Sequence, residues 1–222
     1  MFEWTARFEL QHNWVTLLLV LVFALFVALF KSHPRRLKYL LSFWDLNSYF
    51  QNFEKERLIN PFLLFNLISN AISLIAFSLI GYVFYQNYLI TPGDKIAFPL
   101  FIGIILILVV IRYFLLKAIF ELLNSSDFFA KAIFRSMSLH ALFGSYGLVF
   151  FCIYYYRFFQ ASTYFLLLCI VLYGCLFISH LYLYYRIIRG RLDRLIYLIL
   201  YLCAFKIVPW LWLFNFFIRQ KA

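Results

Sequence analysis

Pro61-Phe-Leu-Leu-Phe-Asn-Leu-Ile-Ser-Asn-Ala-Ile-Ser-Leu-Ile-Ala-Phe-Ser-Leu-Ile-Gly-Tyr-Val-Phe-Tyr-Gln86 runs from a proline to a glutamine without one charged side chain. Crossing the hydrocarbon layer of a bilayer takes about 20 predominantly apolar residues in a helix, and this stretch supplies them. Its polar residues are ordered: Asn66, Ser69, Asn70 and Ser73 fall at i, i+3, i+4 and i+7, on one face of a helix. The stretch therefore reads as a transmembrane helix carrying a single polar stripe.

The rest of the chain has the same character. Of 222 residues, 66% are hydrophobic and 13% charged, against roughly 45–50% and about 25% in soluble proteins. Mean hydropathy is +0.89. A hydropathy window resolves about six spans, near 14–30, 61–86, 97–119, 136–156, 163–185 and 195–217, so the expected fold is an all-α, polytopic transmembrane bundle forming one membrane domain. The first span follows no basic leader and precedes no small-x-small cleavage site. Lys31, Arg35 and Arg36 flank it as a stop-transfer signal.

The connections at 31–59, 117–135 and 186–194 hold 13 of the 20 Lys and Arg residues. The opposite side holds 5, namely Arg7, Lys95, Arg157, Arg219 and Lys221. The positive-inside rule then places the first long loop in the cytoplasm and both termini outside. The net charge of +11 is spread over these short loops, which suits anionic headgroups and not nucleic acid. Thr91-Pro-Gly-Asp94 reads as an outer turn, and Asn124-Ser-Ser-Asp127 as a break with Asp127 capping the next helix. Within the loop at 31–60, Leu46, Tyr49, Phe50, Phe53 and Leu58 share a helical face after Asp45, which predicts an amphipathic helix in the headgroup plane. With 23% aromatic residues and 7 Gly, packing is expected to rest on large rings more than on small-residue seams.

Polar groups within the spans are the candidate site. Lys206 should lie roughly 16–18 Å from the cytoplasmic end of its span at the ~1.5 Å rise per residue, where an unpaired ammonium costs several kcal/mol. Pro209 leaves the carbonyl of Phe205 without its helical donor. Asn66, Asn70 and Ser73 reach toward that depth, either as partners of Lys206 or as ordinary interhelical glue. Arg112, the other cation inside a span, either snorkels to the inner headgroups or contacts a phosphate or carboxylate. His140 and His180 fall at similar depth on successive spans, an arrangement that can form a proton relay or hold haem. Neither has a second ligand at i+3 or i+4, so hydrogen-bonded histidines and no cofactor are expected.

Other chemistry is missing. All nine acidic residues lie near span ends or in loops, which disfavours a proton- or sodium-coupled carrier. No metalloprotease, nucleophile-elbow or P-loop motif occurs. The four cysteines sit in apolar segments without C-x-x-C spacing and read as core thiols, with no metal site.

Tyr184-Tyr185-Arg186 followed by Tyr197-Leu-Ile-Leu-Tyr-Leu-Cys-Ala-Phe-Lys-Ile-Val-Pro209 resembles the C-terminal end of an inner-membrane family of Bacteroidota labelled domain of unknown function 4271. The stretch from Arg112-Tyr113 to Lys117 is similar to its middle motif. The family often carries an acid within a Leu-Cys-x-x-x-Ile-x-Pro frame where this chain has Lys206. The resemblance implies a Gram-negative envelope protein and no particular activity. Two functions stand as expectations. One is a non-catalytic scaffold or accessory subunit in envelope biogenesis or secretion, partnered by another membrane protein or a second copy of itself. The other is a carrier or flippase gripping a lipid-linked anionic, phosphate-bearing substrate with Arg112 and Lys206.

Overall fold

The computed structural model describes residues 13–42, 46–54, 60, 62–89, 97–122, 126–157 and 162–188, and the regular structure in them is entirely helical. α1 (Asn13–Ser32) ends at an elbow. Pro34 forces the residue before it out of the helical region, and His33 has φ −141° and ψ 63°. The same proline, with no N–H to satisfy, starts α2 (Pro34–Leu41). α3 (Leu46–Phe53) follows, then α4 (Leu64–Phe84), which finishes in a π-helical turn at Tyr85–Leu89. α5 (Phe98–Leu122), α6 (Ser126–Arg157) and α7 (Ser162–Ile188) complete the described chain.

Among the described residues four helices are long and apolar enough to cross a membrane: Trp14–Ser32, Leu64–Tyr88, Ala130–Arg157 and Thr163–Tyr182. The described apolar stretch of α5, Phe98–Ile111, is shorter. The span expected at 195–217 and the turn at Thr91–Asp94 lie outside the described residues. α6 begins at Ser126, well before the expected residue 136, so Asp127 stands in its first turn and not before it. The difference has a simple cause: hydropathy marks where lipid contact ends, whereas the hydrogen-bonded helix continues past it through Lys131 and Arg135.

Burial sorts the helices into centre and rim. The apolar windows of α4 and α6 are 50% and 61% buried, those of α1 and α7 only 17% and 22%. α4 and α6 therefore form the core pair, and the rim presents Leu17, Phe23, Leu106, Ile107, Leu167 and Ile178 outward. At the end where α1 begins and α4 finishes, Trp14 meets Phe98 in a tilted contact at 4.7 Å and Tyr82 edge to face at 5.7 Å between centroids. At the opposite end Tyr49, Phe50, Phe53 and Phe134 form a second ring cluster.

α2 and α3 stand alongside α6 instead of lying across its end. Tyr49 stacks on Phe134, yet the hydroxyl of Tyr146, three turns further along α6, donates to the carbonyl of Leu41 at 2.7 Å. That bond satisfies one of the carbonyls a helix end leaves orphaned. Leu46 and Phe50 pack on Leu139, Leu142 and Phe143 of α6. Of the expected amphipathic face, Tyr49 is buried and Leu46, Phe50 and Phe53 are half-buried. Asp45 and Leu58, which framed that expectation, lie outside the described residues.

Candidate functional site

At the end of the bundle where α1 stops and α4 starts, Arg36 is 5% exposed. It lies on the inward face of α2 with Leu37 and Leu40, whereas Arg35 and Lys38 on the other face are exposed. Its Nη2 donates to Oδ1 of Asn66 at 2.7 Å, and its Nε reaches the Tyr49 hydroxyl at 3.5 Å. The guanidinium plane lies over Phe65 at 4.2 Å from the ring centre, with Phe53 and Phe134 further out. Asn66 is held in turn, its Nδ2 donating to the carbonyl of Asn60 at 2.8 Å. A buried guanidinium is thereby solvated by an amide, a phenol and aromatic faces, with no carboxylate on it among the described residues.

The nearby acid is committed elsewhere. Glu54 pairs with Arg135 of α6 at 2.5 Å, and that guanidinium lies over Phe50 at 5.4 Å. Both partners are mostly buried, at 12% and 24% exposure, and the bond fixes the end of α3 to α6. Oε1 of Glu54 and Nε of Arg135 are buried without a hydrogen bond, so the pair is held through one contact only.

Deeper in the bundle the polar stripe of α4 faces α6. Nδ2 of Asn70 lies 3.4 Å from Sδ of Met137, and Ser73 returns its hydroxyl to the carbonyl of Asn70 at 2.8 Å. The cavity bordered by Asn66, Ser69, Asn70, Met137 and Ser138 holds about 10 Å³, room for a single water at most. Below it the helices touch through small residues. A Cβ placed on Gly144 would meet Ser73 Cα at 3.0 Å and Ser73 Cβ at 3.1 Å, with Ala76 at 3.6 Å. The rings expected to dominate packing do so at the two ends of the bundle, whereas the middle of the α4–α6 contact is a small-residue seam.

His140 and His180 meet. Their rings contact edge to face with centroids 4.8 Å apart, and His180 is fully buried. Nδ1 of His140 lies 2.7 Å from the carbonyl of Ser136, and Nδ1 of His180 lies 2.8 Å from that of Leu176. A carbonyl only accepts, which assigns the proton to Nδ1 in each neutral ring. Nε2 of His180 then accepts from Oγ of Ser136 at 3.1 Å. The geometry is that of a polar clasp between α6 and α7. Among the described residues no three His, Cys, Asp or Glu side chains come together as a metal-binding group.

Of the sequence candidates, the structure brings His140 to His180 and lays Asn66, Asn70 and Ser73 along α6. Lys206 lies outside the described residues. Arg112 is placed on α5 by its backbone alone. Arg36 was not among the candidates, since counting loop cations treats it like Arg35. The signal that separates them is positional: Arg36 shares the face of Leu37 and Leu40 in the short helix that Pro34 starts.

An all-helical fold with four membrane-length apolar helices and polar groups clasped between them defines the class as a polytopic helical membrane protein. The chain belongs to the family described as Domain of unknown function (DUF4271), whose model matches residues 15–217. Neither the curated proteins nor the solved structures give a match.

Proposed function

We propose that this chain is a six-span protein of the bacterial inner membrane, with both termini periplasmic, acting without catalysis or cofactor as a scaffold or accessory subunit in envelope biogenesis or secretion. The observation that carries this reading is the closed α4–α6 contact. A carrier needs a polar route through the bundle, and here the polar stripe is spent on helix packing around a cavity of about 10 Å³. The α6–α7 histidines, in ring-to-ring contact, likewise serve as a clasp. The exposed apolar faces of α1, α5 and α7 are then covered by phospholipid and by a partner membrane protein or a second copy. The α2–α3 hairpin re-enters the cytoplasmic leaflet beside α6, and the positive charges at helix ends meet headgroups, not nucleic acid.

Affinity isolation of the full chain from its native membranes in mild detergent tests the proposal. The expected result is a stoichiometric membrane-protein partner or a homo-oligomer. A strictly monomeric, partner-free chain that moves a lipid-linked anion across reconstituted vesicles would contradict it.

A further inference from the structure

The elbow between α1 and α2 opens into a cleft of about 340 Å³ lined by Ser32, His33, Arg35, Arg36, Phe53 and Leu63. Of the residues lining it, Arg35 and Arg36 carry charge and none is an acid, and residues 31–42 around it add Lys31 and Lys38 and no acid. Arg36 reaches the cleft from a buried position. Its protein bonds use Nε and Nη2, which leaves Nη1 without an acceptor among the described residues. Glu54, the neighbouring acid, is already paired with Arg135. Arg35 is exposed and borders the same space. The first turn of α2, with its free backbone N–H groups and no acidic side chain, adds positive potential at that point.

We propose that this cleft is a binding site for a phosphate oxyanion, held by the Arg35 and Arg36 guanidiniums. A buried guanidinium fixed by an amide and stacked on Phe65 is an aimed donor, and guanidinium forks match phosphate oxygens in pairs. Desolvating such a cation without a carboxylate is costly, and an incoming anion offsets that cost. The surroundings suit a phospholipid headgroup: Phe30, Phe62 and Leu64 are strongly exposed at the adjoining ends of α1 and α4 and offer an apolar surface to acyl chains. A free phosphate ion satisfies the same donors without using those residues.

The test titrates the full-length chain in neutral detergent with short-chain phosphatidylglycerol, short-chain diacylglycerol or inorganic phosphate, read by native mass spectrometry and thermal unfolding. The expected result is one saturable phosphatidylglycerol per chain with a raised Tm. Arg35→Gln should weaken it about fivefold or more, whereas Lys131→Gln, which removes the same charge from α6, should change it less than about twofold. Arg36→Lys, which keeps the charge and loses the fork, should also weaken binding. Competition by inorganic phosphate at similar concentration supports the oxyanion site and assigns it to a free anion; its failure to compete assigns the site to lipid. Equal binding of the phosphate-free diacylglycerol, non-saturating uptake, or equal losses in Arg35→Gln and Lys131→Gln would overturn the proposal.

Discussion

Alanine at Gly144 and alanine at Gly147 should have opposite consequences, although the two glycines sit less than one turn apart in α6. Each substitution gains up to about 1 kcal/mol from helix propensity. At Gly144 the new Cβ meets the backbone of Ser73 at 3.0 Å, whereas carbon atoms sit comfortably at about 3.5–4.0 Å. Backbone cannot rotate away, so α4 and α6 must part by several tenths of an ångström along their seam. Overpacking of this kind costs about 1–3 kcal/mol. At Gly147 the nearest atoms are Leu172 Cδ1 at 2.9 Å and Ile80 Cδ1 at 3.1 Å, both ends of rotatable side chains that can turn aside. Gly147→Ala should therefore be neutral or slightly stabilising. Gly144→Ala should be less stable than Gly147→Ala by about 1–2 kcal/mol, a gap of several degrees in Tm at about 2–4 °C per kcal/mol for a chain of this size. Gly144→Leu should fall much further. Thermal unfolding in detergent followed by tryptophan fluorescence measures the series. A Gly144→Ala protein as stable as Gly147→Ala would refute the small-residue seam.

Four further outcomes follow from the same contacts. Asn66→Leu strands the Arg36 guanidinium, so it should cost about 3–5 kcal/mol and exceed the loss in Arg36→Met, measured by denaturant titration in mixed micelles. Ser78 is fully buried with an unpaired hydroxyl, and Ser78→Ala should stabilise by about 0.5–1 kcal/mol, where Ser145→Ala, losing a bond to the Ala141 carbonyl at 2.7 Å, should not. A double-mutant cycle on Glu54 and Arg135 should give a coupling of about 1–3 kcal/mol; coupling near zero would mean that the pair does not hold α3 to α6. Haem added to the purified chain should produce no Soret band of bis-histidine ligation, because His140 and His180 are in contact and bonded within the protein.

The four membrane-length helices were legible because lipid imposes a crude rule, length of apolar run, that any sequence displays. The stripe Asn66, Ser69, Asn70 and Ser73 was legible for the same reason: helical periodicity places it on one face. Its partner was not. Ser69 and Ser73 attract notice as polar residues, but on α4 they count as small ones, and Gly144 completes the seam from another helix. Sequence spacing within α6 gives no sign of it, since Gly144 and Gly147 are not four apart. His140 and His180 could be matched in depth but not in azimuth, so their contact needed coordinates. Arg36 was hidden among loop cations because charge counting ignores which face of a short helix a cation takes. The amphipathic face of the loop was legible for its periodicity, but such a face does not say whether lipid or protein will cover it, and Tyr49 is covered by protein.

Cysteine accessibility along the α4 stripe tests the central claim most directly. In a chain whose native cysteines are replaced, single cysteines at Ser69, Ser73 and Ser145 should resist a membrane-impermeant maleimide from both sides of sealed vesicles, since all three positions are buried. Arg35→Cys at the elbow should label readily. Labelling of Ser69→Cys and Ser73→Cys from either side would mean a solvated route runs where this account places a closed helix seam, and the scaffold reading would give way to a carrier.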